Sequence, residues 1–270
     1  MAAELERPFG RLLREWRSRR RVSQLDLALE AGVSSRHVSF IETGRAQPSR
    51  EMILVLARVL DVPLRDRNDL LVSAGYAAIY RATDLDAPAL EQARRAVDFM
   101  LRQQEPYPAI VVDRSWNLLK ANHGAVKLVE AFADPDAANE WAGNAMRLMF
   151  HPRGLRQHIV NWEAMAAALI QWLHRDVLSG LGGADTRRLL ADLLTYPGVP
   201  PRWRTLDLDA STAPFLAIEF QKDDLGLRYF STLTSLGTPH DITLQELRVE
   251  AFFPADAATE EASQRLIARP

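Results

Sequence analysis

Ser35, Arg36, Ser39 and Thr43 recur at spacings that put all four on one face of a helix. Hydroxyls both donate and accept, and a guanidinium offers a planar fork of donors, so such a face suits a partner with a patterned polar edge. Ser34, His37 and Arg45 flank it, and Gln24 stands one short helix earlier. A second polar set, Asn122, Arg147 and His151, is scattered among aromatic and methionine positions in the later part of the chain. Other kinds of chemistry lack their residues. Cysteine is absent, which removes disulfides and thiolate metal ligands. The six histidines, His37, His123, His151, His158, His174 and His240, form no His-x-x-x-His pair, so neither a metal nor a cofactor is expected. There is no Gly-x-Ser-x-Gly elbow and no phosphate-cradling glycine loop. Gly180-Leu181-Gly182-Gly183 reads as a loop between helices, and Asp223-Asp224 as a turn. An enzyme is not expected.

The first set depends on the helices around it. Phe9, Leu12, Leu13 and Trp16 predict one helix. Ser23 is the natural N-cap of a second, which carries Leu25, Leu27 and Ala28. Gly32 permits a sharp turn, and Ser34 caps a third helix whose Val38 and Ile41 face inward. Gly44 ends that helix. Pro48-Ser49 opens a fourth with Ile53, Leu56, Ala57 and Leu60, and Leu70 and Leu71 belong to a fifth that stops near Gly75. An outward face so braced fits the major groove of B-DNA, about 12 Å wide.

The run Ser23-Gln24-x-x-Leu27-Ala28-x-x-Ala31-Gly32-Val33-Ser34-x-x-x-Val38-Ser39-x-Ile41-Glu42-x-Gly44, continued by Pro48-Ser49, resembles the lambda-repressor-like helix-turn-helix of the XRE regulator family over residues 9–75. The resemblance implies a double-stranded DNA operator as partner and a homodimer on palindromic half-sites. It places Gln24 on a phosphate and puts Ser35, Arg36 and Ser39 at base-reading positions. Arg36 would pair with guanine, and His37 or Arg45 would reach the backbone.

Beyond residue 80 the pattern changes. Residues 81–105 predict a linking helix with Ala93, Val97, Met100 and Leu101 as its apolar stripe, ended by Pro106 and Pro108. This helix is the candidate dimer interface. Ala109 to Val112 reads as a buried strand, Asp113-Arg114-Ser115 as a turn, and Trp116 to Ala121 as its partner strand. Asn122 caps a helix carrying Val126, Val129 and Phe132; a polar loop follows over 133–144. Helical patterns at 145–150, 155–178 and 185–195 precede an irregular stretch at 196–214. Alternation around Leu216, Ile218 and Phe220, then Leu227 to Thr234 and Leu247 to Phe253, completes an antiparallel sheet of about five strands. Trp162, Met165, Leu169 and Trp172 share one helix face, with Met146, Met149 and Phe150 before them. Such a stripe serves either a core or the wall of an apolar cavity, and periodicity does not choose between them.

Pro108-Ala109-x-Val111-Val112-Asp113-Arg114-x-Trp116, then Asn122, Arg147-x-x-Phe150-x-Pro152 and Asn161-Trp162-Glu163, resemble the MmyB-like ligand-binding domain of transcription regulators, which has a PAS-like fold. The match weakens after residue 175, where Ala213-Pro214-Phe215 stands in for the family's usual strand start. The resemblance implies an apolar, fatty-acid-like ligand. Tyr107, Ile110, Val112, Trp116, Met149, Phe150, Trp162, Met165, Leu169, Phe220 and Phe230 would line its site, with Asn122, Arg147 and His151 as polar anchors. A ligand-free dimerisation or recruitment module is the alternative.

The 270 residues thus read as an α+β protein: residues 1–80 as a five-helix DNA-binding domain, 81–105 as a linking helix, and 106–270 as a PAS-like domain. The net charge of −2 conceals an asymmetry. Residues 1–80 hold 13 arginines against 10 acidic residues, a net of +3, which leaves −5 for the rest. Arg14, Arg17, Arg19, Arg20 and Arg21 cluster before the second helix and add to the case for nucleic acid. No signal peptide or membrane span is apparent, and a cytoplasmic location is expected.

Overall fold

The computed structural model describes residues 8–137, 139–141, 143–179, 183–206, 217–237 and 239–268. The expectations for Gly180-Leu181-Gly182, Ala213-Pro214-Phe215 and Leu216 lie outside the described residues. The chain forms two units: Met1–Thr83 with Leu178–Leu181 and Thr238–Gln245, and Asp84–Val177 with Gly182–Gly237 and Glu246–Pro270.

In the first unit the five expected helices are α1 (Pro8–Arg19), α2 (Gln24–Ala31), α3 (Ser35–Glu42), α4 (Arg50–Val59) and α5 (Leu64–Ser73). Their ends follow local chemistry. The Ser23 hydroxyl accepts from the Asp26 N–H, and the Asp26 carboxylate reaches back to the Ser23 N–H in a capping box. Ser34 and Ser49 accept from the N–H groups of His37 and Met52 in the same way. Gly32 turns the chain between α2 and α3 at φ +70°, where a Cβ would be strained. Leu13, Trp16, Leu27, Ala28, Val38, Ile41, Ile53, Leu56, Leu70 and Leu71 are buried together in one core. Leu25 is 57% exposed, because only the Leu27–Ala28 side of the short α2 faces that core. A returning segment completes the unit. The Thr83 hydroxyl donates to the Asp241 carboxylate at 2.6 Å, and the Leu64 N–H donates to the Gln245 side chain at 2.7 Å.

The second unit holds α6 (Glu91–Gln104), β1 (Ala109–Val112), β2 (Leu118–Ala121), α7 (His123–Phe132), α8 (Ala145–Phe150), most of α9 (Trp162–Ser179), α10 (Gly183–Leu193), β3 (Ile218–Lys222), β4 (Leu225–Ser235), β5 (Arg248–Pro254) and α12 (Ala257–Ile267); the short α11 (Ile242–Glu246), before β5 in the chain, belongs mostly to the first unit. The strands form an antiparallel sheet in the order β2-β1-β5-β4-β3, the α+β, PAS-like arrangement expected. Alternation splits its two faces. Ala109 and Val111 face α6 and pack with Val97, Leu101, Leu247 and Val249. Phe220, Leu227, Tyr229 and Phe252 bury the opposite face against α7 and α12.

Several local expectations shift. The helix expected over 81–105 starts at Glu91, after a 3-10 turn at Pro88–Leu90, so Leu90 replaces the exposed Met100 in its buried stripe. Val126 of α7 is exposed, and Ala125, Leu128 and Phe132 carry the inward face. Trp116 lies ahead of β2 at φ +65°, rare for a bulky residue. α12 was not foreseen.

Candidate functional site

The outward face of α3 is as the spacing predicts. Ser34, Ser35, Arg36 and Arg45 are exposed, and His37, Ser39 and Thr43 half-buried. Two of these residues already have work within the helix. The Ser34 oxygen is the N-cap acceptor, and the Thr43 hydroxyl donates to the Ser39 carbonyl at 2.8 Å, which leaves Thr43 mainly an acceptor. The Arg36 guanidinium lies 5.1 Å above the Phe40 ring, a contact worth about 0.5–1 kcal/mol at an exposed site. It is thereby held near the face without being consumed.

The base of α3 is tied by a residue sequence reading left in its motif without a role. Glu42 is buried. Arg17 of α1 donates to both its carboxylate oxygens, at 2.6 and 3.0 Å, and Arg14 lies 3.6 Å away. The Gln24 Nε2 donates to the same carboxylate at 2.7 Å. Burial pushes the Glu42 pKa up, but the hydrogen bonds from Arg17 and Gln24 and the charges of Arg17 and Arg14 outweigh it and hold the group below the usual carboxylate range. This revises two expectations. The arginine cluster is largely structural: Arg14 and Arg17 serve Glu42, and Arg20 donates to the carbonyls of Leu60 and Asp61. Gln24 has spent one of its two amide protons on the same network.

In the second unit, Ile110 of β1, Phe220 of β3 and Phe252 of β5 join Trp116, Met146, Met149 and Leu169 around an apolar cavity of about 90 Å³. Of the side chains expected to line a ligand site, Ile110, Trp116, Met149, Leu169 and Phe220 do so. Val112, Phe150 and Met165 are packed into the core beside it. Trp162 meets Phe150 edge-on at 5.0 Å and carries Arg156 at 4.5 Å above its ring; Tyr107 is likewise peripheral. Phe230 stacks on Phe253 at 5.3 Å, away from the lining. Their spacing marked them as buried without showing which faced empty space.

The three polar anchors are elsewhere engaged. Asn122 caps α7 and also ties β1 and the chain before it, accepting from the N–H groups of Ala125 and Ala109 and donating to the Tyr107 and Leu101 carbonyls. Arg147 pairs with Asp192 at 2.6 Å. His151 lies 3.0 Å from Glu140 and accepts from the Arg153 N–H. None of the three lines the cavity. The polar side chain that does, Glu250 on β5, was missed because it alternates within an apolar strand and looks solvent-facing by pattern. Glu250 is half-buried, and burial pushes its pKa up to about 7 against the hydrogen bond donated by the exposed Ser231 hydroxyl at 2.8 Å.

Among the described residues no three His, Cys, Asp or Glu side chains gather to hold a metal, and no helix is long and apolar enough to cross a membrane.

Comparison with known proteins defines the class. Residues 8–70 match the family model of a helix-turn-helix domain, and residues 93–266 match the MmyB-like transcription regulator ligand binding domain. The chain belongs to the family of DNA-binding transcriptional regulators that carry this ligand-binding domain. One relative is the uncharacterized HTH-type transcriptional regulator RghRB of Bacillus subtilis (strain 168), 41% identical over 70 residues, or 26% of this chain and 48% of that protein. The chain therefore matches about half the length of that relative. A solved RNA-binding light-oxygen-voltage receptor aligns with 98% of this chain and 63% of its own at 11% identity, but its TM-score of 0.29 is too low to define a shared fold.

Proposed function

We propose that this regulator reads a specific double-stranded operator through α3, and that an apolar small molecule in the second unit controls when it binds. The observation that carries the first part is the exposed Ser35–Arg36 face on a helix fixed by the Gly32 turn and the buried Glu42 network. In this reading Arg36 takes a guanine edge, and Ser35, Ser39 and Thr43 meet neighbouring edges. Gln24 gives its second amide proton to a phosphate, which His37 and Arg45 also approach. The partner expectations belong here too: a homodimer in the cytoplasm, joined through α6, whose Phe99 is 57% exposed beside Met100. The fatty-acid-like ligand is retained for its apolar portion alone, which the cavity lining supports.

Selection of bound duplexes from a random pool, followed by titration of Arg36→Ala, tests the DNA role. Relaxed preference at one base pair, costing about 1–3 kcal/mol against that site, is expected. An equal loss on every sequence would reject base reading. Native mass spectrometry of freshly purified protein tests sensing: added mass that, when removed, alters operator affinity is expected, and a bare chain with unchanged affinity favours a ligand-free dimerisation or recruitment module.

A further inference from the structure

Val38, Ile41 and Glu42 give α3 its buried side. Arg36, Phe40 and Thr43 follow i, i+4 and i+7, and so form one stripe on the opposite side. Phe40 is the apolar member of that stripe. It is half-buried, yet it is not among the side chains that pack on the core of the five-helix unit. The Arg36 guanidinium lies over its ring, 5.1 Å from the centroid. The core therefore does not account for a phenyl ring at this position.

The major groove offers few partners for such a ring. Phosphates and polar base edges are hydrated, and an apolar ring set against them removes water without returning a hydrogen bond. One base-edge group in that groove is apolar, the C5-methyl of thymine, and phenylalanine is among the side chains that contact it. The spacing fits as well. Successive bases lie about 3.4 Å apart along a strand. A separation of 5.1 Å between guanidinium and ring is more than one such step and less than two. When the guanidinium holds one base, the ring meets its neighbour.

We propose that Phe40 reads the C5-methyl of a thymine in the base pair adjacent to the guanine taken by Arg36. The two side chains then act as one unit: the ring holds the guanidinium in place, and the pair selects neighbouring G·C and T·A base pairs. This rests on reading α3 as the helix that contacts base edges.

Selection of duplexes by the full chain, repeated with Arg36→Ala, locates the guanine that Arg36 reads. Fluorescence anisotropy then compares the selected duplex with one in which deoxyuridine replaces the adjacent thymine, a change that removes only the methyl group. Wild type binds the deoxyuridine duplex about three- to fivefold more weakly, and Phe40→Ala binds the two duplexes equally. Equal binding of both by wild type, or a located position that is not a guanine beside a thymine, overturns the inference and leaves α3 as the reading helix. A loss that persists in Phe40→Ala overturns it too, by assigning the methyl to another residue. Failure of wild type to enrich any site overturns the α3 reading and this inference with it. The thymine-to-deoxyuridine comparison in wild type decides even if Phe40→Ala does not fold.

Discussion

Glu42 and Glu250 are both removed from water to some degree, and their surroundings drive them in opposite directions. Glu42 is met by Arg17, Arg14 and Gln24 and stays ionised. Removing its main partner strands a buried carboxylate, so Arg17→Met should cost about 3 kcal/mol in denaturant unfolding of the first unit; a cost below about 0.5 kcal/mol would show that Arg14 and Gln24 suffice. Among the described residues no cation meets Glu250, and its folded pKa of about 7 stands above the ordinary 4.5. Its stabilising contribution is therefore complete below pH 4.5 and declines as pH rises towards about 7, by at most ~1.4 kcal/mol per pH unit. Glu250→Gln should flatten stability across that window relative to wild type. Equal slopes for the two proteins would show that Glu250 titrates normally. Neither role is legible in the sequence: Glu42 is one acidic residue on an amphipathic helix, and its three partners come from α1 and α2.

At the scale of elements, turn chemistry was readable and side-chain destination was not. Ser23, Ser34 and Ser49 cap the helices their positions predicted, and Gly32 takes the positive φ its turn requires. Those signals are local. Asn122 shows the limit: its capping of α7 is local, but its bonds to Ala109, Tyr107 and Leu101 depend on tertiary approach, and they remove it from any ligand. Gly10 carries a similar long-range demand. A Cβ there would lie 2.4 Å from the Glu42 carbonyl oxygen, so α1 crosses the end of α3 too closely for any side chain. Gly10→Ala should force the two apart at about 1–3 kcal/mol and weaken binding to all operators alike; unchanged stability would mean α1 shifts freely. On α6, Phe99→Glu should convert a homodimer to monomer by light scattering with chromatography, and an unaltered mass would move the interface elsewhere.

At the scale of the molecule, the order of patterns along the chain revealed the architecture: five helical stripes, then alternating strands interrupted by helices. The discontinuity did not show. Residues 239–245 leave the later part of the sequence to join the first unit, where Asp241 and Gln245 bond to Thr83 and Leu64. The cavity escaped for a related reason, since a void is defined by what three strands and three α-helices, distant in sequence, fail to fill. The central claim is that α3 reads DNA sequence. Selection from a random duplex pool measures it directly: wild type should enrich a defined site, and a Ser35→Ala, Arg36→Ala, Ser39→Ala variant that remains folded should lose that enrichment while keeping weak general affinity. Identical enrichment by the variant, or none by wild type, would contradict it.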